Sequence, residues 1–127
     1  MVEYSYELKV PKNRVAVIIG KEGRVKKEIE EATKTKLNID SREGDVFVSG
    51  EDALGLYTAR EMIRAIARGF NPDVAKFLLK PDYVFEVVDL SEFVGKSKDA
   101  MVRLKGRVIG KEGKSRRLIE ELTECNI

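Results

Sequence analysis

The chain has 127 residues, 43% of them apolar, with 24 basic against 22 acidic side chains and a net charge of +2; it is too apolar for a mainly disordered chain and too nearly neutral to bind nucleic acid by bulk charge, so any basic footprint must be local. Histidine is absent and Cys125 is the only cysteine, which removes the parts for a zinc site, a disulfide framework and Cys/His or Ser/His nucleophilic chemistry. No apolar run approaches the roughly 18 residues of a membrane span and residues 1–5 hold no signal-peptide core, so the cytosol is the expected compartment.

Tyr4 to Val10 alternates polar and apolar residues and predicts a half-buried strand that Pro11 ends. Lys12 to Ile19 places Val15, Ile18 and Ile19 on one helical face, and Gly20 interrupts it. After Gly23 a second helix is predicted to about Thr33, burying Val25, Ile29 and Ala32. Leu37 to Ile39 and Val46 to Val48 read as strands around the turn cluster 41–45. A helix then follows Asp52, with Leu56, Ala59, Ile63 and Ile66 inward and Gly69 as its stop. Arg60, Arg64 and Arg68 share one face of that helix and read first as solvated surface, second as an accessory contact for phosphate or protein.

This first unit, 1–69, has the order β-α-α-β-β-α. The segment 70–82, with Pro72 and Pro81 near its ends, is a linker carrying a short helix. A second unit, 83–127, opens with a strand expected from Tyr83 to Leu90, a looser stretch from Ser91 to Lys98 and a helix from about Asp99 to Ile109. Far fewer residues follow Gly113 than unit one uses after Gly23, so unit two is expected to be incomplete, the chain being a fragment or, less plainly, the unit being completed by another chain. Cys125 is expected to be a small buried residue.

The second unit repeats the first. Val108-Ile109-Gly110-Lys111-Glu112-Gly113 copies Ile18-Ile19-Gly20-Lys21-Glu22-Gly23 ninety positions later, and the likeness runs without a gap to Thr33 and Thr123. The glycines permit a sharp turn and close backbone approach, and the helix that follows points free N–H groups at the loop. Lys21, Arg24, Lys26 and Lys27 crowd the start of that helix, and Lys111, Lys114, Arg116 and Arg117 do so in the copy. Cations there oppose the helix dipole by about 0.3 to 1 kcal/mol each at exposed sites. Phosphate groups would offset that arrangement; the plainer reading is a solvated face with partners such as Lys27 to Glu31. Glu22 and Glu112, inside the loops, are read as offsetting the local cations.

Gly95-Lys96-Ser97 and Gly113-Lys114-Ser115 imitate the end of a nucleotide-binding P-loop. Leu90 and Val108 stand where its first glycine is needed, so no NTPase is expected. No carboxylate cluster has metal-site spacing, so no nuclease centre, metal or cofactor is expected either.

An I-G-x-x-G loop between two helices of a β-α-α-β-β-α unit resembles the type I KH domain, a single-stranded RNA-binding module. The resemblance implies an α+β fold of tandem KH domains, each a three-stranded antiparallel sheet with helices on one face, the second truncated at its C-terminus. It also implies that Gly20, Lys21, Glu22 and Gly23, and Gly110, Lys111, Glu112 and Gly113, clamp an RNA backbone, with the flanking cations beside them. Ile19, Val25, Ile29, Leu37 and Ile109 are the groove candidates, core packing being the other role open to them. Lys26 and Arg116 stand where the KH pattern has an apolar residue, which favours phosphate contacts there.

Residues 67–72, 87–90 and 103–123 further resemble the archaeal two-KH ribosome-assembly family, the counterpart of the eukaryotic partner-of-Nob factor. That implies a non-enzymatic protein binding the 3′ end of small-subunit ribosomal RNA or its precursor. It also implies, as partners, a PIN-domain endonuclease and the alpha subunit of translation initiation factor two. A protein-interaction scaffold, or a generic KH RNA-binding regulator, docking on a translation or RNA-processing factor is the alternative.

Overall fold

Val46 and Val48 lie on the same side of their strand, and the first unit is built over them. In the computed structural model, which describes residues 3–127, strands β1 (Tyr4–Lys9) and β2 (Lys36–Asp40) flank β3 (Asp45–Gly50) antiparallel in the order β1-β3-β2. Tyr6 and Leu37 oppose Val48, while Leu8 and Ile39 oppose Val46, so these six share one face and Phe47, paired with Glu7 and Asn38, lies on the other. The β2–β3 turn closes because the Asp40 carboxylate accepts from the N–H groups of Arg42 (3.0 Å) and Glu43 (3.4 Å).

Helices α1 (Lys12–Ile19), α2 (Arg24–Thr33) and α3 (Ala53–Ala67) supply the other half of the core. Ile18, Ile63, Ile66, Val46 and Val48 are wholly buried, and each such aliphatic side chain contributes about 1.5 to 3 kcal/mol. Asp52 caps α3 by accepting from the Leu54 N–H at 3.1 Å. At its other end Arg14 of α1 donates to the carbonyls of Ile66 (2.8 Å) and Phe70 (2.9 Å), tying α1 to the end of α3 and the residues that leave it.

Arg60 and Arg64 are not the solvated surface expected. Both are bonded to Glu61, at 2.9 and 3.1 Å, and Glu61 is only 6% exposed. Burying a carboxylate is costly unless it is paired and hydrogen-bonded, which the two arginines provide. The guanidiniums also lie over the rings of Tyr6 (5.0 Å) and Phe85 (5.5 Å). Arg68 is exposed.

The chain divides into two compact units between Phe85 and Glu86. The segment after α3 forms a helical turn, α4 (Pro72–Ala75), capped by Asn71, and a 3₁₀ turn over Lys76–Leu79. The strand expected from Tyr83 to Leu90 does not form. Tyr83 instead stacks on Phe77 with centroids 5.4 Å apart, and Phe85 meets Phe70 edge-on at 6.2 Å, so the segment's start is held by unit one. Strand β1 exists through its ladder to β3, and residues 86–127 contain no strand to provide one. Here α5 (Ser91–Val94), α6 (Lys98–Ile109) and α7 (Lys114–Thr123) are the regular elements. Cys125 is exposed, not buried; it follows the left-handed residue Glu124 at the end of α7, where the unit offers nothing to cover it.

Ile63→Ala is expected to lower the unfolding free energy of unit one by about 2 to 5 kcal/mol through the cavity it leaves, measurable as a shift of the urea midpoint.

Candidate nucleic-acid interface

Gly20 ends α1 at φ 74, ψ 174, where only glycine is at ease, and a side chain there would also have nowhere to go. A Cβ on Gly20 would fall 2.5 Å from Cγ2 of Val25 and 2.8 Å from its backbone nitrogen. Gly23, at φ 75, is different: a Cβ on it would have nothing within 4 Å. Gly20 therefore serves the packing of the loop on α2. Gly23 faces open space, and its bareness serves whatever approaches from outside.

Between them Glu22 adopts φ 56, ψ 27, a left-handed conformation that costs a non-glycine residue about 1 to 2 kcal/mol. The second loop repeats every angle within 2°. Gly110 is at 74 and 172, Glu112 at 56 and 29, Gly113 at 75 and 15. Its packing differs at both glycines: a Cβ on Gly110 would meet the Ser115 hydroxyl at 2.5 Å instead of a valine methyl, and one on Gly113 would have Nη1 of Arg117 at 3.6 Å where Gly23 has nothing within 4 Å.

The mirror continues beyond the loops. Thr33 donates to the Ile29 carbonyl and Thr123 to that of Ile119, both at 2.6 Å. The carboxylate of Glu30 accepts from the Leu37 N–H at 2.9 Å, and that of Glu120 from the Ile127 N–H at 3.1 Å. Lys34 and Glu124 both end their helices at φ 56. Ile127 thus holds the place of Leu37, the first inward residue of β2.

The cations stand where the sequence placed them. Lys21, Arg24, Lys27, Lys111, Lys114, Arg116 and Arg117 are exposed and Lys26 is half-buried. Among the described residues none of the eight forms an ion pair or a side-chain hydrogen bond. The Lys27 to Glu31 partnership of the plainer reading is not made, and Glu22 and Glu112 form no ion pair with these cations among the described residues. Neither α2 nor α7 has an acidic residue in its first turn. Each loop therefore presents a helix N-terminus, a bare glycine and four unneutralised cations to solvent, an arrangement that favours an anion.

The apolar candidates separate. Ile29 and Leu37 are each 2% exposed and belong to the core, where they fill the space between α2 and the sheet; of the two roles open to them, this is core packing. Ile19 and Val25 are half-buried against the same core, and Ile109 is 49% exposed. Sequence reasoning missed Glu28. It takes the Lys76 ammonium at 2.8 Å and so ties the 3₁₀ turn to the back of α2; its hydrogen bond, then its charge, raise the Lys76 pKa against the opposing effect of burial. No local sequence signal marks it, because its partner Lys76 lies in another element.

Two family models match the chain: the KH domain over residues 5–65, and the eukaryotic type KH-domain (KH-domain type I) over residues 84–127. A KH domain-containing protein of Methanocaldococcus jannaschii is 51% identical over 124 residues, which cover 94% of this chain and 54% of that protein. This chain therefore spans about half that relative's length. A polyribonucleotide nucleotidyltransferase of Methylocella silvestris is 33% identical over 116 residues, 90% of this chain but 16% of the enzyme. Among solved structures, Dim2p of Pyrococcus horikoshii OT3 is 40% identical with a TM-score of 0.88, covering 97% of this chain and 74% of that one. The same protein in a complex with a/eIF2alpha and rRNA gives the same two values, covering 98% and 70%.

The two glycines of each loop are expected to respond differently to substitution. Gly20→Ala combines backbone strain with a clash on Val25, and Gly23→Ala carries strain of about 1 kcal/mol alone. In thermal unfolding the first variant should lose clearly more stability than the second.

Proposed function

The chain belongs to the KH-domain family, in the two-KH group that includes archaeal Dim2p, and from that premise we propose that it holds one RNA single strand through two backbone clamps. The family makes it an RNA-binding protein. The observation that carries the clamp reading is the pair of loops with matching backbone angles, each with four cations that make no ion pair within the described residues. Single-stranded RNA supplies what both loops lack, a run of phosphates at close spacing. Linking two weak sites raises apparent affinity through effective concentration.

The strand we propose is the 3′ end of small-subunit ribosomal RNA or its precursor, bound during ribosome assembly in the cytosol. Its support is the relative crystallised with rRNA. That complex also contains a/eIF2alpha, which makes the alpha subunit of the initiation factor our proposed protein partner; a PIN-domain endonuclease acting nearby is a further proposal, carried by the family resemblance alone. We assign the chain no chemistry of its own. Among the described residues no group of three or more acidic or cysteine side chains could hold a metal ion.

The decisive variant is Gly23→Asp with Gly113→Asp. Both positions have room for a side chain, so the fold survives while a carboxylate meets the incoming phosphates. Affinity for a labelled single strand copied from the rRNA 3′ end should fall at least about tenfold, and the wild-type affinity should fall steeply with salt. Unchanged affinity would remove the clamp reading. Equal binding to a scrambled strand would leave the RNA-binding function and remove the ribosomal one.

A further inference from the structure

On the side of α2 that meets α3, the first unit leaves a cavity of about 140 Å³. Ile29, Met62 and Ile66, all buried, form its floor, and the 3₁₀ turn over Lys76–Leu79 supplies part of its wall. Ala32, which spacing places in the core, is exposed at its mouth, as is Leu79. No residue of the glycine loop or of β2 lines it, so it is distinct from the surface formed by Gly23 and the loop cations.

Size selects the occupant. Pockets for small organic ligands run to about 300 to 1,000 Å³, whereas this one holds a single leucine-sized group. One apolar side chain seated in a preformed, largely desolvated pocket is the usual anchor of a protein interface.

The charges around the mouth select the rest of the partner. Lys76 is the only cation lining the cavity among the described residues, and Glu28 takes it at 2.8 Å. Two carboxylates are left in surplus. Asp73 is exposed and stands 3.7 Å from the same ammonium. Glu31 lies three residues after Glu28, hence beside it on the helix, and forms no ion pair among the described residues. Such a rim repels an RNA strand and attracts a chain that carries lysine or arginine next to its apolar residue. Helix α2 is therefore divided, with cations in its first turn and carboxylates one turn later, beside an apolar cavity.

We propose that this cavity is the docking site of a basic protein segment, which inserts one leucine-sized side chain between lysine or arginine residues that pair with Glu31 and Asp73. The first unit then carries a protein-binding site that does not depend on the RNA clamp.

The test titrates the whole chain, isotope-labelled for NMR, with a short peptide that has one leucine between two pairs of lysines. The amide signals of Ala32, Met62 and Leu79 should move. Replacing the peptide's leucine by alanine should weaken binding about tenfold, and replacing its lysines by glutamates should abolish it. Ala32→Phe, which fills the cavity from an exposed position, should weaken binding of the leucine peptide, and the pair Glu31→Lys with Asp73→Lys should do so about tenfold. Circular dichroism checks that these substitutions leave the fold intact, and affinity of Ala32→Phe for single-stranded RNA should match wild type. Cavity signals that stay still at millimolar peptide would overturn the proposal. Binding indifferent to the leucine would do the same, by reducing the site to general charge attraction, and a loss of RNA affinity in Ala32→Phe would give the cavity to the RNA instead.

Discussion

Contact between a glycine and the residue five positions later governs everything the molecule presents to a ligand. Gly20 lies so close to Val25, and Gly110 to Ser115, that no side chain fits between them. This fixes the angle at which the second helix leaves the first, and hence where its free N–H groups point. It also forces the next residues through a left-handed turn, which places Glu22 or Glu112 in strain. The strain is the consequence of the close approach, since the same turn appears in both copies on different floors, one a valine methyl and the other a serine hydroxyl.

On this frame the charges are set against the helix that carries them. Four cations near an N-terminus, with no acidic residue in the first turn, oppose the dipole by about 0.3 to 1 kcal/mol each at exposed sites. Salt reduces that, and the tertiary core carries the remainder: the four together cost about 1 to 4 kcal/mol, which one or two buried isoleucines at about 1.5 to 3 kcal/mol each offset. A fold held by Ile18, Ile63 and Ile66 can therefore keep an unfavourable surface. The contrast with Glu61 sharpens the point. That carboxylate is buried and takes two arginines, whereas the loop cations are exposed and take none, so cations paired for structure and cations free for a ligand occupy separate elements.

Much of this was legible in the sequence because the signals were local. The helix from Lys12 to Ile19 and the helix ending at Thr33 follow from apolar spacing and glycine stops, and they lie where spacing puts them. The Tyr83 to Leu90 strand was misread for the opposite reason. Its alternation matches that of β1, but a strand needs a neighbour, and aromatic residues at 83 and 85 found partners at 77 and 70 instead. Arg60 and Arg64 were misread as surface because a sequence does not reveal that the glutamate between them is buried. The site itself was legible as composition, while the distinct roles of Gly20 and Gly23 needed coordinates: two identical residues in one motif differ only in what surrounds them.

The same division between local and distant interactions explains how unit two keeps its loop without a sheet. Residues 86–127 contain no strand, yet the angles of Gly110, Glu112 and Gly113 match those of unit one, as do the threonine bond at the end of α7 and the carboxylate that receives the Ile127 N–H. Every interaction that defines this helix-loop-helix lies within a few residues of itself. The sheet adds a place to bury Ile29 and Leu37, and therefore stability, but it does not shape the turn. A loop geometry written in short-range contacts can be duplicated intact while the side chains around it diverge.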